Sequence, residues 1–276
     1  MALLPVPEPY DFALSLERFR TFGADLACLW HEGGLHRVVA GREVRLEVAP
    51  GGVSAEPFDA EIEAEVGHLL GLPFDLVGFR AFAQGDPTLA GLVDALSGFR
   101  PPLSPDPFEM LVTSITAQQV SLQSARAVRN RLLERHGERA GLAYAFPSRA
   151  RIARLADGEL VALGFSRRKE EYVLGLARSS IDFAALAGLA DAEVAARLTA
   201  IRGLGEWTAD WYLARHLARP TAWPAGDLGV RKAVSAFYGE GRDLSTEEVR
   251  ALGERFEPFQ NLTVHYLLAG HRVVGV

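Results

Sequence analysis

This 276-residue chain holds a single cysteine, Cys28. One thiol allows no internal disulfide, no CxxC zinc site and no four-thiolate iron–sulfur cluster. The seven histidines form no HExxH motif or tight cluster, which speaks against a structural metal centre made of side chains. No stretch reaches the ~18 apolar residues of a membrane span. The N-terminal MALLPVPEPYDF lacks the basic and apolar zones of a signal peptide. Repeats and low-complexity tracts are absent. A cytoplasmic protein with no membrane partner is the expectation.

The 49% hydrophobic and 23% charged residues are the proportions of an ordinary globular protein. The net charge of −6 is unevenly spread. Residues 1–122 hold 7 Lys and Arg against 17 Asp and Glu, whereas residues 123–235 hold 18 against 12. The basic excess is mostly arginine: Arg126, Arg129, Arg131, Arg135, Arg139, Arg149, Arg151, Arg154, Arg167 and Arg168. A local positive field attracts a polyanion whatever the total. A solvated helical face is the plainer reading.

The first 80 residues read as a small α+β unit. HRVVAGREVRLEVAPGGVSAE alternates apolar and polar residues around glycine turns, as antiparallel strands do. FDAEIEAEVGHLLGL places Ile62, Val66, Leu69 and Leu70 on one helix face. From residue 81 the strand signal disappears, and residues 81–276 read as a unit of eight or more helices. GFRPPLSPDPF (98–108) is the clearest connector. The expected class is α+β, a small antiparallel-sheet and helix domain followed by a mostly helical one.

IRGLGEWTADW (201–211) carries the strongest local signal. Val194, Leu198 and Ile201 keep helical spacing before it, and a second helix runs from Glu206 until Pro220 stops it. Glycines in such a hairpin permit positive φ and close approach of another molecule. The unpaired N–H groups that open the second helix form an anion site suited to a phosphate. A plain tight turn would use the same residues. Asp227 follows 22 residues after Gly205, in WPAGDLGVRKAV, where it starts a helix. An N-cap role suits it, and a catalytic role is compatible with that.

Together PYDF, FEMLVTSITAQQVS, GLGEWTADW, GDLGVRKAV and EPFQNLTVHYLL, spread over most of the chain, resemble the helix-hairpin-helix-GPD superfamily of DNA glycosylases. Within it the chain is similar to the bacterial 3-methyladenine DNA glycosylase II, or AlkA, type. The resemblance implies a hairpin at 199–208 and a catalytic loop at 220–230. It implies a monomeric enzyme that flips a damaged base out of double-stranded DNA and hydrolyses its N-glycosidic bond, initiating base excision repair. Asp227 would stabilise the oxocarbenium-like transition state. Trp207, Trp211, Gln118 and Leu268 would line the base pocket, and Gln119 would wedge into the vacated gap. Gly203, Leu204, Gly205 and Thr208 would hold the DNA backbone. No cofactor is required, and a Na+ or K+ ion would sit on the carbonyls of Thr199, Ile201 and Leu204.

Relatives that also cleave the backbone carry a lysine two residues after the second hairpin glycine. Trp207 stands there, so a glycosylase without lyase activity is expected. Arg202 departs from the proline that usually precedes the first glycine, and Leu268 from a family tryptophan. The second departure implies a wider pocket and leaves the preferred lesion open. His265 and His271 read as core or surface residues. The tryptophans as ordinary core, the glutamines as helix surface, and a non-catalytic DNA-binding hairpin with Asp227 only a cap are the competing readings. An unrelated helical scaffold is a further one.

Overall fold

The computed structural model describes residues 2–21 and 23–273. Its N-terminal part is an antiparallel sheet of β1 (Ala2–Pro5), β2 (Leu29–His31), β3 (Gly34–Val39), β4 (Arg42–Ala49) and β5 (Gly52–Glu56), in the order β1-β5-β4-β3-β2. Alternation in β4 turns Val44 and Leu46 inward, with Leu46 opposite the buried Ala55 of β5. The helix Ala60–Leu69 closes this core with the four residues its periodicity marks, Ile62, Val66, Leu69 and Leu70, all at most 1% exposed. Asp59 caps it by accepting from Glu61 and Ile62 N–H.

β3 breaks the alternation, because all six of its residues are buried. Its outer face is covered by the rest of the chain. Arg37 of β3 bonds to Glu65 at 2.7 Å and to Glu109 of the helix Pro107–Ala117 at 3.0 Å. Glu109 also pairs with Arg129 of the helix Leu122–His136, and Arg129 and Arg126 both pair with Asp25. Burial pushes the Asp25 and Glu109 carboxyls up, but the arginines outweigh it and hold both below the usual carboxylate range. The two parts are therefore joined by a buried charge network. Removing one member leaves its partner buried and unpaired, at a cost of about 3–5 kcal/mol.

Two features depart from expectation. A second hairpin, β6 (Glu138–Ala140) and β7 (Ala143–Ala145), interrupts the helical part. It belongs to the joint: Leu142 N–H donates to Glu43 and Tyr144 N–H donates to Leu26 O, both at 2.8 Å. Such short strands carry little periodic signal. The arginine-rich middle third is also largely structural. Besides Arg126 and Arg129, Arg149 donates to Ala177 O, Ser179 O and Ile181 O, satisfying carbonyls in and just after the last turn of the helix Arg167–Arg178. Arg131 donates to Leu163 O at 2.6 Å. The charges left open near the hairpin are fewer: Arg167 and Arg168 are exposed, and Arg168 bonds to Tyr172 Oη at 2.6 Å.

The helices from Leu76 onward pack into two further cores. In one, Tyr266 lies between Phe79 and Phe99, with ring centroids at 4.8 and 5.2 Å. The other gathers residues from the Pro107–Ala117 helix to the C-terminal helix Gln260–Val273, including Trp211 and Tyr212. Among the described residues no helix is long and apolar enough to cross a membrane.

Candidate active site

The hairpin depends on Gly203. The first helix, Asp191–Thr199, buries Val194 and Leu198 and runs into the turn. Gly203 adopts φ +96°, and a Cβ there would lie 2.2 Å from the Tyr172 ring. Only glycine meets both demands without strain. The second helix, Glu206–Arg215, starts at exposed Gly205 and ends before Pro220 is reached. The N–H groups of Gly203, Gly205, Glu206 and Trp207 have no acceptor among the described residues. They are donors at the positive end of a helix, an arrangement that binds anions.

Leu204 and Thr208 differ from these: their N–H groups donate within the turn, to Ile201 O and Gly205 O at 3.0 Å, and the residues are 5% and 1% exposed. Glu206 and Trp207, whose N–H groups are open, were findable from the rule that the first turn of a helix is unpaired. Arg202 is exposed and paired with Glu171.

Asp227 joins the hairpin to the next helix. Its N–H donates to Pro224 O at 3.0 Å, and this turn delivers it as N-cap of Leu228–Tyr238, with Oδ1 accepting from Val230 N–H at 2.9 Å. Oδ2 accepts from Trp207 Nε1 at 2.6 Å and from Trp211 Nε1 at 3.2 Å. Spacing of i and i+4 puts both indoles on one face, and each charge-assisted bond holds the carboxylate in place. Trp207 is half-buried and Trp211 4% exposed. The pair expected as pocket wall thus also aims the acid, a role that spacing alone does not reveal. The Asp227 side chain remains half-exposed, between exposed Gly226 and Leu228.

Around this centre, Leu268 is half-buried, 3.7 Å from where a Cβ on Gly229 would stand. Gln118 ends the Pro107–Ala117 helix and donates from Nε2 to Gly203 O at 2.9 Å, so it braces the hairpin. Gln119 is exposed at φ +55°, a protruding left-handed residue between two helices. His265 is buried, its Nδ1 2.8 Å from Asn261 O, and burial followed by the Arg215 charge pushes its pKa down to about 3. It is a neutral core residue. His271 is half-buried in the last turn. Asn261 fastens the C-terminal helix to the hairpin helix by donating to Ala214 O and Arg219 O, both at 2.9 Å. The clefts at Asp210 and Trp223 (about 410 Å³) and at His68 and His216 (about 640 Å³) are not bordered by Asp227. The geometry of donors and acid, rather than cavity size, marks the site.

A sequence signature described as HhH-GPD superfamily base excision DNA repair protein matches residues 112–258, which include the hairpin and Asp227. A DNA-3-methyladenine glycosylase of Bacillus subtilis is 29% identical over 201 residues, covering 70% of this chain and 66% of that protein, a little under two thirds of its length. The solved structure of a 3-methyladenine DNA-glycosylase from Archaeoglobus fulgidus superposes with a TM-score of 0.90 at 26% identity, covering 100% of both chains. A Schizosaccharomyces pombe 3-methyladenine DNA glycosylase, solved with abasic DNA, superposes with a TM-score of 0.62 at 25% identity, covering 71% of this chain and 98% of that one.

Proposed function

Because the chain belongs to the HhH-GPD superfamily of base excision DNA repair proteins, we propose that it hydrolyses the N-glycosidic bond of damaged, notably alkylated, bases in double-stranded DNA. The observation that carries this reading is the Asp227 carboxylate, held by two indole N–H groups of the same helix whose N-terminus offers free N–H donors. The hairpin holds a phosphate and fixes register without reading sequence. The damaged nucleotide is flipped out, at a cost of a few kcal/mol, and Gln119 enters the gap. As the C1′–N bond breaks, its electron pair leaves on the base and positive charge develops on the sugar. Asp227 stabilises that charge, an effect commonly amounting to roughly 3–4 kcal/mol. Water adds to C1′ and gives up one proton, which passes to solvent when a cationic alkylated base departs neutral and to the base when a neutral base departs as an anion.

Capping alone uses Oδ1, so the two indoles on Oδ2 favour the catalytic reading over a non-catalytic hairpin. The chain has two lysines, and their placement supports hydrolysis without strand cleavage. Lys169 Nζ donates to Thr116 O at 2.8 Å, and Lys232 is an exposed residue of the helix that Asp227 caps. Residues 81–276 carry this chemistry in our reading, with residues 1–80 as a separate unit bracing them. We further propose that a Na+ or K+ ion sits on the hairpin carbonyls of Thr199, Ile201 and Leu204. Thr199 O and Leu204 O accept no hydrogen bond among the described residues, and Ile201 O accepts one, from Leu204. Such an ion would add a positive charge beside the phosphate.

The test is incubation with duplexes carrying one N7-methylguanine or 3-methyladenine. Free base and an intact abasic strand are expected, with no borohydride-trapped adduct. No base release would overturn the glycosylase reading; a trapped adduct would overturn only the absence of lyase activity.

A further inference from the structure

Arg215 ends the hairpin helix four residues after Trp211, and its Cζ lies 3.7 Å from the Trp211 ring centroid. The guanidinium therefore covers one face of the indole whose Nε1 bonds to Asp227 at 3.2 Å. Its Nε is buried without an acceptor, and no ion pair or hydrogen bond holds the rest of the group among the described residues. Asp227 is the opposite charge that acts on it, and Arg18 and Arg272 are like charges nearby. Burial first, then Arg18, pushes its pKa well down, against the pull of Asp227. Burying an unpaired charge is unfavourable. A site that keeps one beside its acid is completed by a ligand able to accept from it.

Arginine donates through a planar fork suited to paired acceptors. The O6 and N7 edge of a keto purine is such a pair. We propose that Arg215 determines specificity, donating to the acceptor edge of a flipped neutral keto base and stabilising the negative charge that base carries away. The inference rests on the glycosylase reading above. When the C1′–N bond breaks, the electron pair departs on the base. A cationic alkylated base becomes neutral and needs no help. A neutral base becomes an anion until it takes a proton from water, and a fixed cation beside it lowers the barrier. Arg215 itself transfers no proton.

The test uses two otherwise identical duplexes, one with hypoxanthine and one with N7-methylguanine, in single-turnover excision by the wild type, Arg215→Met and Arg215→Lys. The Met variant keeps a side chain able to cover Trp211 but loses the charge. It is expected to lower the hypoxanthine rate about tenfold or more and to change the N7-methylguanine rate by less than about threefold, with Lys recovering part of the loss. Equal loss on both lesions in a variant with an unchanged melting temperature, or loss on neither, overturns the proposal. If the Met variant does not fold, the Lys variant is read by the same ratio. An unchanged ratio overturns the proposal, and a smaller shift in the same direction supports it. Wild-type release of N7-methylguanine alone overturns it while leaving the glycosylase reading intact. Release of neither base overturns both.

Discussion

Asp227 Oδ2 stands 2.6 Å from Trp207 Nε1, so the acid of one helix cap is aimed by a side chain from the first turn of the hairpin helix. The segment whose open N–H groups hold a phosphate in the proposed function is thereby the segment that positions the carboxylate. Grip and chemistry share one rigid element, which suits a transition state needing both at once.

Trp207→Phe keeps an aromatic ring and removes the shorter of the two indole bonds to Asp227. Base excision is expected to slow about tenfold, the effect of losing one charge-assisted hydrogen bond, while affinity for an abasic duplex stays within about twofold. Single-turnover kinetics beside a binding titration separate the two.

Gly203→Ala forces a left-handed backbone on an L-residue and drives its Cβ into Tyr172, 2.2 Å away. A loss of more than about 1 kcal/mol of stability is expected, visible as a lower melting temperature. DNA affinity should fall with it, because the same turn presents the free N–H groups.

Glu206 sits among those N–H groups, its side chain 75% exposed and 3.0 Å from Arg250. Its negative charge opposes a phosphate. Glu206→Gln is expected to tighten binding to undamaged duplex about two- to fivefold at low salt, with the gain shrinking as salt rises. A salt series of binding isotherms reads it.

Asp210, on the same helix, has its pKa raised to about 6, by burial first and by Glu206 second. The folded state thus holds this proton more tightly than the unfolded chain, whose value is about 3.9. Ionised Asp210 lowers stability above about pH 6, and the penalty fades as pH falls toward the unfolded value. Asp210→Asn should therefore raise the melting temperature near pH 8 and do so less near pH 5. Thermal melts at the two pH values decide it.

How legible the site is in the sequence depends on the distance over which it is made. The hairpin and its acid are readable because GLG, the i,i+4 tryptophans and a capping aspartate each have local physical reasons. The buried Ile62, Val66 and Leu69 of Ala60–Leu69, with Leu70 as its C-cap, are readable from helical period. Long-range partners are not. That Trp207 and Trp211 meet Asp227, that Gln118 braces Gly203, and that Asn261 pins the C-terminal helix follow from tertiary packing alone. Charge composition misleads for the same reason. Arg126, Arg129 and Arg149 raise the basic count of the middle third, yet their partners are Asp25, Glu109 and backbone carbonyls.

One measurement bears most directly on the role of Asp227: single-turnover release of an alkylated base by Asp227→Asn, with abasic-duplex affinity measured alongside. Asparagine still caps the helix, so folding should hold. Release is expected to fall at least about a hundredfold with affinity changed by less than about threefold. Release at the wild-type rate would contradict the assignment of the chemistry to this carboxylate.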